Sequence, residues 1–225
     1  MNTFRKYEKT YRIELPYYKI KGKYHLAKKQ ENLLLRGNCT VTEKFDGGNT
    51  GIYKVNDKCY LQKRRANVDY SHPQYSFFQN EWYWNNKKKL DKLSNDIVVY
   101  GELLRCVHSI YYNSLPDWFI VFDIYDLKKE KYLSYSQMKG MCNKVGLCCV
   151  PLLYEGQIPD KNFLLNLIPS KSAYGDVAEG VVVKNYRQQV RGKVVKKEFL
   201  KFIEDENTHW VNRKIKLNTV KESGK

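Results

Sequence analysis

Apolar positions alternate with polar ones along much of the chain, at a period of two in some stretches and at helical spacing in others. The segment CTVTEKF predicts a strand over 39–45, TGIYKV a second over 50–55, and KCYLQKR a third over 58–64. Asn56 and Asp57 between the last two are a tight-turn pair, so these strands form a β-hairpin. FFQNEWYWNNKKKLDKL predicts an amphipathic helix over 77–93. NDIVVYGELLR and DWFIVFDIYDL, rich in β-branched and aromatic residues, predict buried strands over 95–105 and 117–127. Beyond them the pattern predicts a helix after Ser134 that ends at Gly146, a short helix over 161–167, strands over 178–186 and 191–199, and a polar helical tail through Trp210. The mixture is α+β with antiparallel pairing.

The 225 residues suffice for one substantial core or two small lobes around a cleft, and no repeat or proline-rich hinge divides them. Hydrophobic residues at 42% exclude a disordered chain, and the longest apolar runs are too short to span a bilayer. The N-terminus lacks the apolar core of a signal peptide, so an intracellular, cytoplasmic and reducing location is expected. Six cysteines without a CxxC pair or a zinc-finger histidine fit reduced, structural thiols, and the Cys148–Cys149 pair lies in the apolar run VGLCCVPLL. Forty basic residues against 24 acidic ones give a net charge of +16, which points to a polyanionic partner. The charge is dispersed rather than gathered on one amphipathic helix, so nucleic acid is favoured over a membrane surface.

Three groups of residues carry chemistry. The first is EKFDGGNTG over 43–51, a lysine in a glycine-bounded loop, where Lys44 reads either as a nucleophile or as a lysine beside a hairpin turn. An ordinary lysine is almost wholly protonated at neutral pH, so a nucleophilic one needs burial, a neighbouring cation or a metal. The second is a set of carboxylates in apolar strands: Glu102, Asp123 and Glu179. Charge in a sheet is costly unless paired or turned into a cleft, so these are candidate metal and ribose contacts, although a structural role serves Asp123 equally well. Gly101 and Gly180 adjoin the two glutamates and permit close approach of backbone or ligand. The third is a set of cations: Lys63, Arg64 and Arg65 after the hairpin, then Lys184, Lys193, Lys196, Lys197 and Lys201.

In their order these elements resemble the nucleotidyltransferase superfamily of polynucleotide ligases and mRNA capping enzymes. EKFDGGN resembles its nucleophile motif, LQKR the next, VVYGELL the third, WFIVFDIYD the aromatic strand motif, AEGVVVK the fourth and GKVVKKEFLK the fifth. The likeness is strongest to ATP-dependent RNA ligases of the phage type, in YGEL, the asparagine Asn49, FDI and EGVVVK, and in the opening FRKY. Capping enzymes usually carry DG pairs in the third and fourth motifs, and DNA ligases a further oligonucleotide-binding barrel after the fifth. The motifs span 43–202 of one domain, and only the basic tail 203–225 follows, too short for such a barrel.

The resemblance implies a nucleotidyltransferase fold of two antiparallel sheets flanking a nucleotide cleft. It implies ATP with Mg²⁺ or Mn²⁺, a lysyl-AMP intermediate at Lys44, and the sealing of 5′-phosphate and 3′-hydroxyl RNA ends, in single strands or in a nicked duplex, with room for a separate C-terminal module or partner. By the same likeness Glu43 lies near the base edge, Glu102 holds the ribose and Phe122 stacks on adenine. Arg64 contacts ribose or the acceptor, and Lys63 and Asn49 contact nucleic acid. Glu179 engages the metal, and Lys184 with Lys193 neutralises phosphate. The family often shows KxK in the fifth motif, where this chain offers Lys193, with Lys201 as the alternative. A DNA ligase catalytic domain, a capping guanylyltransferase and a non-catalytic nucleic-acid-binding relative are the other readings.

Overall fold

The computed structural model describes residues 4–15, 24–64, 66, 68, 70–199 and 215–221. In chain order the elements begin with strand β1 (Tyr11–Arg12), helix α1 (Lys28–Leu34) and strands β2 (Asn38–Lys44), β3 (Gly48–Val55) and β4 (Lys58–Lys63). Helix α2 (Pro73–Phe77) runs through a π-helical turn at Phe78–Trp82 into α3 (Tyr83–Leu90). Strands β5 (Ile97–Leu103), β6 (Phe119–Asp126) and β7 (Lys131–Tyr132) lead to helix α4 (Tyr135–Val145). Strands β8 (Cys148–Cys149) and β9 (Leu152–Gln157), helix α5 (Lys161–Asn166), and strands β10 (Gly180–Asn185) and β11 (Val190–Val195) complete the series.

The strands form two sheets. One has the order β1-β11-β10-β2-β9, the other β4-β3-β5-β6-β7 with β8 also on β6. Pairing is antiparallel as expected except for two short parallel contacts, β1 on β11 and β8 on β6. Alternation sets which side chains meet. On β2, Cys39 and Val41 are buried on the outer face with Val181, Val183 and Val194, beneath Leu34 of α1. Thr42 and Lys44 therefore point the other way, into the cleft between the sheets. The second sheet is backed by the α2–α3 helical run, whose Phe78 and Trp82 pack on Phe119 at ring distances of 6.0 and 5.6 Å.

Local signals explain several elements. Asn56 and Asp57 take φ of 46° and 61°, the positive angles of a two-residue hairpin turn. Ser134 and Gln137 form a reciprocal capping box at the start of α4, and Gly146 ends it with φ of 87°. The helix expected over 77–93 is the α2–α3 run, which starts earlier, at Pro73, after the cap from His72. The polar helical tail through Trp210 falls on residues outside those described. Residues 215–221, read from sequence as part of a basic tail, instead dock on the body of the protein: Leu217 bridges Cys106 and Val220 bridges Leu115. No helix among the described residues is long and apolar enough to cross a membrane.

Candidate active site

Lys44 ends β2, where Gly180 of β10 is its register partner, so the preceding residue, Glu179, lies beside it. A Cβ on Gly180 would stand 2.1 Å from the Val194 carbonyl oxygen, and the bare backbone lets β10 and β11 close up at this point. The Lys44 ammonium donates to Glu179 Oε2 at 2.6 Å and to the Phe45 carbonyl at 3.1 Å. The chain then turns over the end of β5: a Cβ on Gly47 would meet Leu103 O and Leu104 Cδ2, each at 2.7 Å. That close passage sets Lys44 against Glu102. Asp46 pins the turn, accepting from the Ser109 and Ile110 amides at 2.7 and 3.2 Å.

A cleft between the two sheets opens around Lys44. Glu43, Asn49, Arg64, Glu102, Phe122, Lys184 and Lys193 all line it. Asn49 and Glu102 are register partners on β3 and β5. Phe122 is reached through a β-bulge: Asp123 pairs with Tyr100 and Val121 with Gly101, which leaves Phe122 without an opposite residue and re-aims its ring into the cleft. Tyr7 braces that ring edge-on at 5.2 Å, while Val150 and Val182 add apolar walls. Lys193 reaches the same face because it pairs with Val182, which pairs with Thr42.

Charge in this cleft is poorly compensated. Burial, opposed by Lys44 and reinforced by Glu179 and Asp46, pushes Glu102 up to about 7. Burial likewise lifts Glu179 to about 7, against the pull of Lys44. Lys193 is brought down to about 8 by burial and by the Lys44 charge. Burial works to lower Lys44 too, but Glu179 and Glu102 outweigh it and raise the lysine above its ordinary value. Lys44 is therefore an ammonium held by a carboxylate, and the lowered pKa a nucleophile needs has to come with the ligand. Glu179, a carboxylate at the Lys44 ammonium, would hold a divalent cation together with phosphates. Among the described residues no group of three His, Cys, Asp or Glu forms a closed metal site, and Mg²⁺ is typically held by one or two carboxylates plus substrate phosphates.

The remaining candidates sit differently around the cleft. The Glu43 side chain lies on the face of β2 opposite Lys44, where its Oε2 accepts from the Ala173 amide at 3.1 Å. Lys184 borders the cleft and is 3% exposed, donating to Asp123 Oδ1 at 3.0 Å and to the Phe122 carbonyl, contacts that fix the Phe122 wall. Asp123 is structural: fully buried, it also accepts from Tyr7 Oη at 2.6 Å and Arg191 Nη1 at 3.1 Å. Lys63 places its Nζ 5.2 Å from the Tyr75 ring centroid. Lys201 lies outside the described residues, whereas Lys193 and Arg191 form a basic pair two apart on one face of β11. Sequence reasoning missed Arg191, although its spacing from Lys193 was visible. It also missed Tyr7 and Thr10 as cleft residues.

Two sheets around a lysine-bearing cleft define a nucleotidyltransferase-type fold. The chain belongs to the RNA ligase family, whose model matches residues 37–203. The fold is shared with solved structures of a Naegleria gruberi RNA ligase. The form with pyrophosphate has a TM-score of 0.60 at 20% identity, over 77% of this chain and 53% of that one. A ligand-free point variant gives 0.62 at 18%, over 79% and 56%. A variant with AMP and manganese gives 0.58 at 18%, over 79% and 56%. The chain thus spans about half the length of those ligases. No curated protein matches it.

Proposed function

We propose that the chain is the adenylyltransferase of an ATP-dependent RNA ligase. The observation that carries the proposal is the 2.6 Å pair between Lys44 and Glu179 inside a cleft that also holds Glu102, Phe122, Arg64 and Lys193. Lys44 Nζ, its ammonium proton released to solvent once the ligand has drawn Glu179 away, attacks the α-phosphorus of ATP; the bond to the β-phosphate oxygen breaks, pyrophosphate leaves, and a second amine proton passes to solvent. AMP then passes from Lys44 to the 5′-phosphate of an RNA end, breaking the P–N bond. A 3′-hydroxyl attacks that phosphate, loses its proton and releases AMP.

Each residue has a task in this sequence. Phe122, braced by Tyr7, offers a face for the base, with Val150 and Val182 as apolar walls. Glu102 accepts from the ribose hydroxyls. Arg64 and Lys193 meet phosphate oxygens, and a lysine brought down to about 8 regains its full charge when phosphate arrives. Asn49, beside Glu102, orients the reacting end. A divalent cation held by Glu179 with the phosphates of ATP would supply positive charge to them and free Lys44 from its carboxylate. Alignment and charge neutralisation are most of what phosphoryl-type transfer requires.

RNA ends are the substrate under this reading, supported by the family and by the +16 charge. Because the matched region is only 53% of the Naegleria ligase, a further module or a partner that holds the RNA belongs to the proposal. So does a reducing compartment, in which the six free cysteines stay thiols. The test is incubation with α-labelled ATP and Mg²⁺ or Mn²⁺, followed by RNA carrying 5′-phosphate and 3′-hydroxyl ends. Covalent label on the wild type, absent from Lys44→Ala, and its chase into sealed RNA are expected. No label on the wild type, or label retained by Lys44→Ala, overturns the reading.

A further inference from the structure

Asn218 lies in the 215–221 stretch, outside the region that matches the family model, and is 4% exposed. Its side chain is spent entirely on backbone. Nδ2 donates to the Leu104 carbonyl at 2.7 Å and reaches the Cys106 carbonyl at 3.4 Å, and Oδ1 accepts from the Tyr112 amide at 2.8 Å. Main-chain bonds flank it: Asn218 N to Arg105 O at 2.9 Å, Thr219 N to Tyr112 O at 2.9 Å and Leu115 N to Thr219 O at 3.0 Å. One buried amide therefore ties the end of β5 to the loop over 105–115.

Both tied parts touch the Lys44 turn. Leu104 lies directly after the Glu102–Leu103 pair and under Gly47, with 2.7 Å between its Cδ2 and the place of a Gly47 Cβ. Tyr112 Oη accepts from the Asp46 amide at 2.8 Å, and its ring packs edge-on against Phe45 at 5.5 Å. Ser109 and Ile110 of the same loop hold the Asp46 carboxylate. Lys44 is thus followed by two residues whose positions are set by a loop that Asn218 fastens. The contacts run Asn218, Tyr112, Asp46, with no gap wider than a hydrogen bond.

We infer that Asn218 is a positioning residue for the Lys44 turn, acting through Tyr112 on Asp46. It touches no reacting atom; it fixes the angle at which Lys44 and Glu102 face each other. A displacement of about 1 Å in such an arrangement costs on the order of 100-fold in rate. Buried amides whose donors and acceptor are all satisfied rigidify what they join. The inference rests on the adenylyltransferase reading for its kinetic readout and on geometry alone for its other.

The experiment compares wild type, Asn218→Ala, Tyr112→Phe and the double variant. Tyr112→Phe keeps the ring against Phe45 and loses only the hydroxyl on Asp46, so it stays informative if Asn218→Ala fails to fold. Lysyl-AMP formation at saturating ATP is expected to fall at least tenfold in each folded single variant, with the apparent KM for ATP within about threefold. The double variant is expected to lose less than the product of the two, because both act along one chain of contacts. Amide hydrogen exchange over 45–48 in the ligand-free proteins is expected to quicken in the single variants. Rates within twofold of wild type and unchanged exchange in Tyr112→Phe overturn the inference. A wild type that never labels sinks the adenylyltransferase reading, and exchange over 45–48 then decides this one alone.

Discussion

Replacing Glu102 by glutamine should stabilise the ligand-free protein while disabling it. In the folded state burial and the Glu179 and Asp46 charges raise Glu102 from an ordinary 4.5 to about 7. The unfolded chain ionises this carboxyl first as pH rises. Below 4.5 both states hold the proton and nothing is lost; between 4.5 and 7 the folded state alone holds it, and stability falls; above 7 the loss is complete. Each tenfold change in acidity is worth about 1.4 kcal/mol, so the ceiling above pH 7 is about 3 kcal/mol. Glu102 keeps partial exposure to the cleft, whose water offsets some of this, and about 2 kcal/mol is the expected gain. Urea unfolding of both proteins without ATP at pH 5 and pH 8 measures it. The glutamine variant should lie within about 1 kcal/mol of wild type at pH 5, exceed it by about 2 kcal/mol at pH 8, and form lysyl-AMP poorly at both. A variant no more stable than wild type at pH 8 would refute the reasoning, and an equal gain at both pH values would assign the effect to packing.

Three further outcomes follow from the same geometry. Asp123→Asn leaves Lys184 and Arg191 buried with only a neutral oxygen between them, and should cost about 3 kcal/mol in denaturant unfolding, with Phe122 loosened as well. Lys193→Ala should slow lysyl-AMP formation by about 100-fold, whereas Lys63→Ala, turned toward Tyr75, should leave it close to wild type. Wild-type lysyl-AMP formation should rise through pH 7, because Glu102 and Glu179 are both protonated below about 7 and then offer neither ribose nor metal an anion; a rate flat from pH 6 to 8 would contradict this.

What the sequence disclosed depended on whether a residue's role is set by near neighbours. Period-two alternation through CTVTEK and the β-branched run GVVVK were enough to place β2 and β10, and the Asn56–Asp57 turn was legible because only a few residue types accept two positive φ angles. By contrast β9 at the sheet edge is partly or largely exposed along its length and shows no alternation to read. Helix α1 is seven residues long, without a side-chain N-cap bond, and is fixed by tertiary contacts such as Glu31 with Lys161 and the Glu14 amide. The site divides in the same way. Lys44, Glu102 and Glu179 stood out as charges in apolar strands, but whether a buried charge meets a ligand or a protein partner is decided by residues far away in sequence. Asp123 and Glu179 looked alike locally. Tyr7 and Arg191 made one structural, and the approach of β2 made the other part of the cleft.

That division shows how this cleft differs from an ordinary buried ionic network. Around Asp123 the charges are satisfied by protein: one carboxylate, two cations and a tyrosine hydroxyl, closed to solvent. Around Lys44 they are not, since two carboxylates and Lys193 are each pushed toward neutrality at pH values near 7 or 8. A folded protein with only its own stability at stake would relieve that strain with neutral side chains, and the glutamine variant above does so. The arrangement is favourable only when a ligand arrives carrying both signs of charge, phosphate oxygens for Lys193 and Arg64 and a cation for Glu179. Keeping those groups fixed beforehand means that little reorganisation is needed at the moment of transfer.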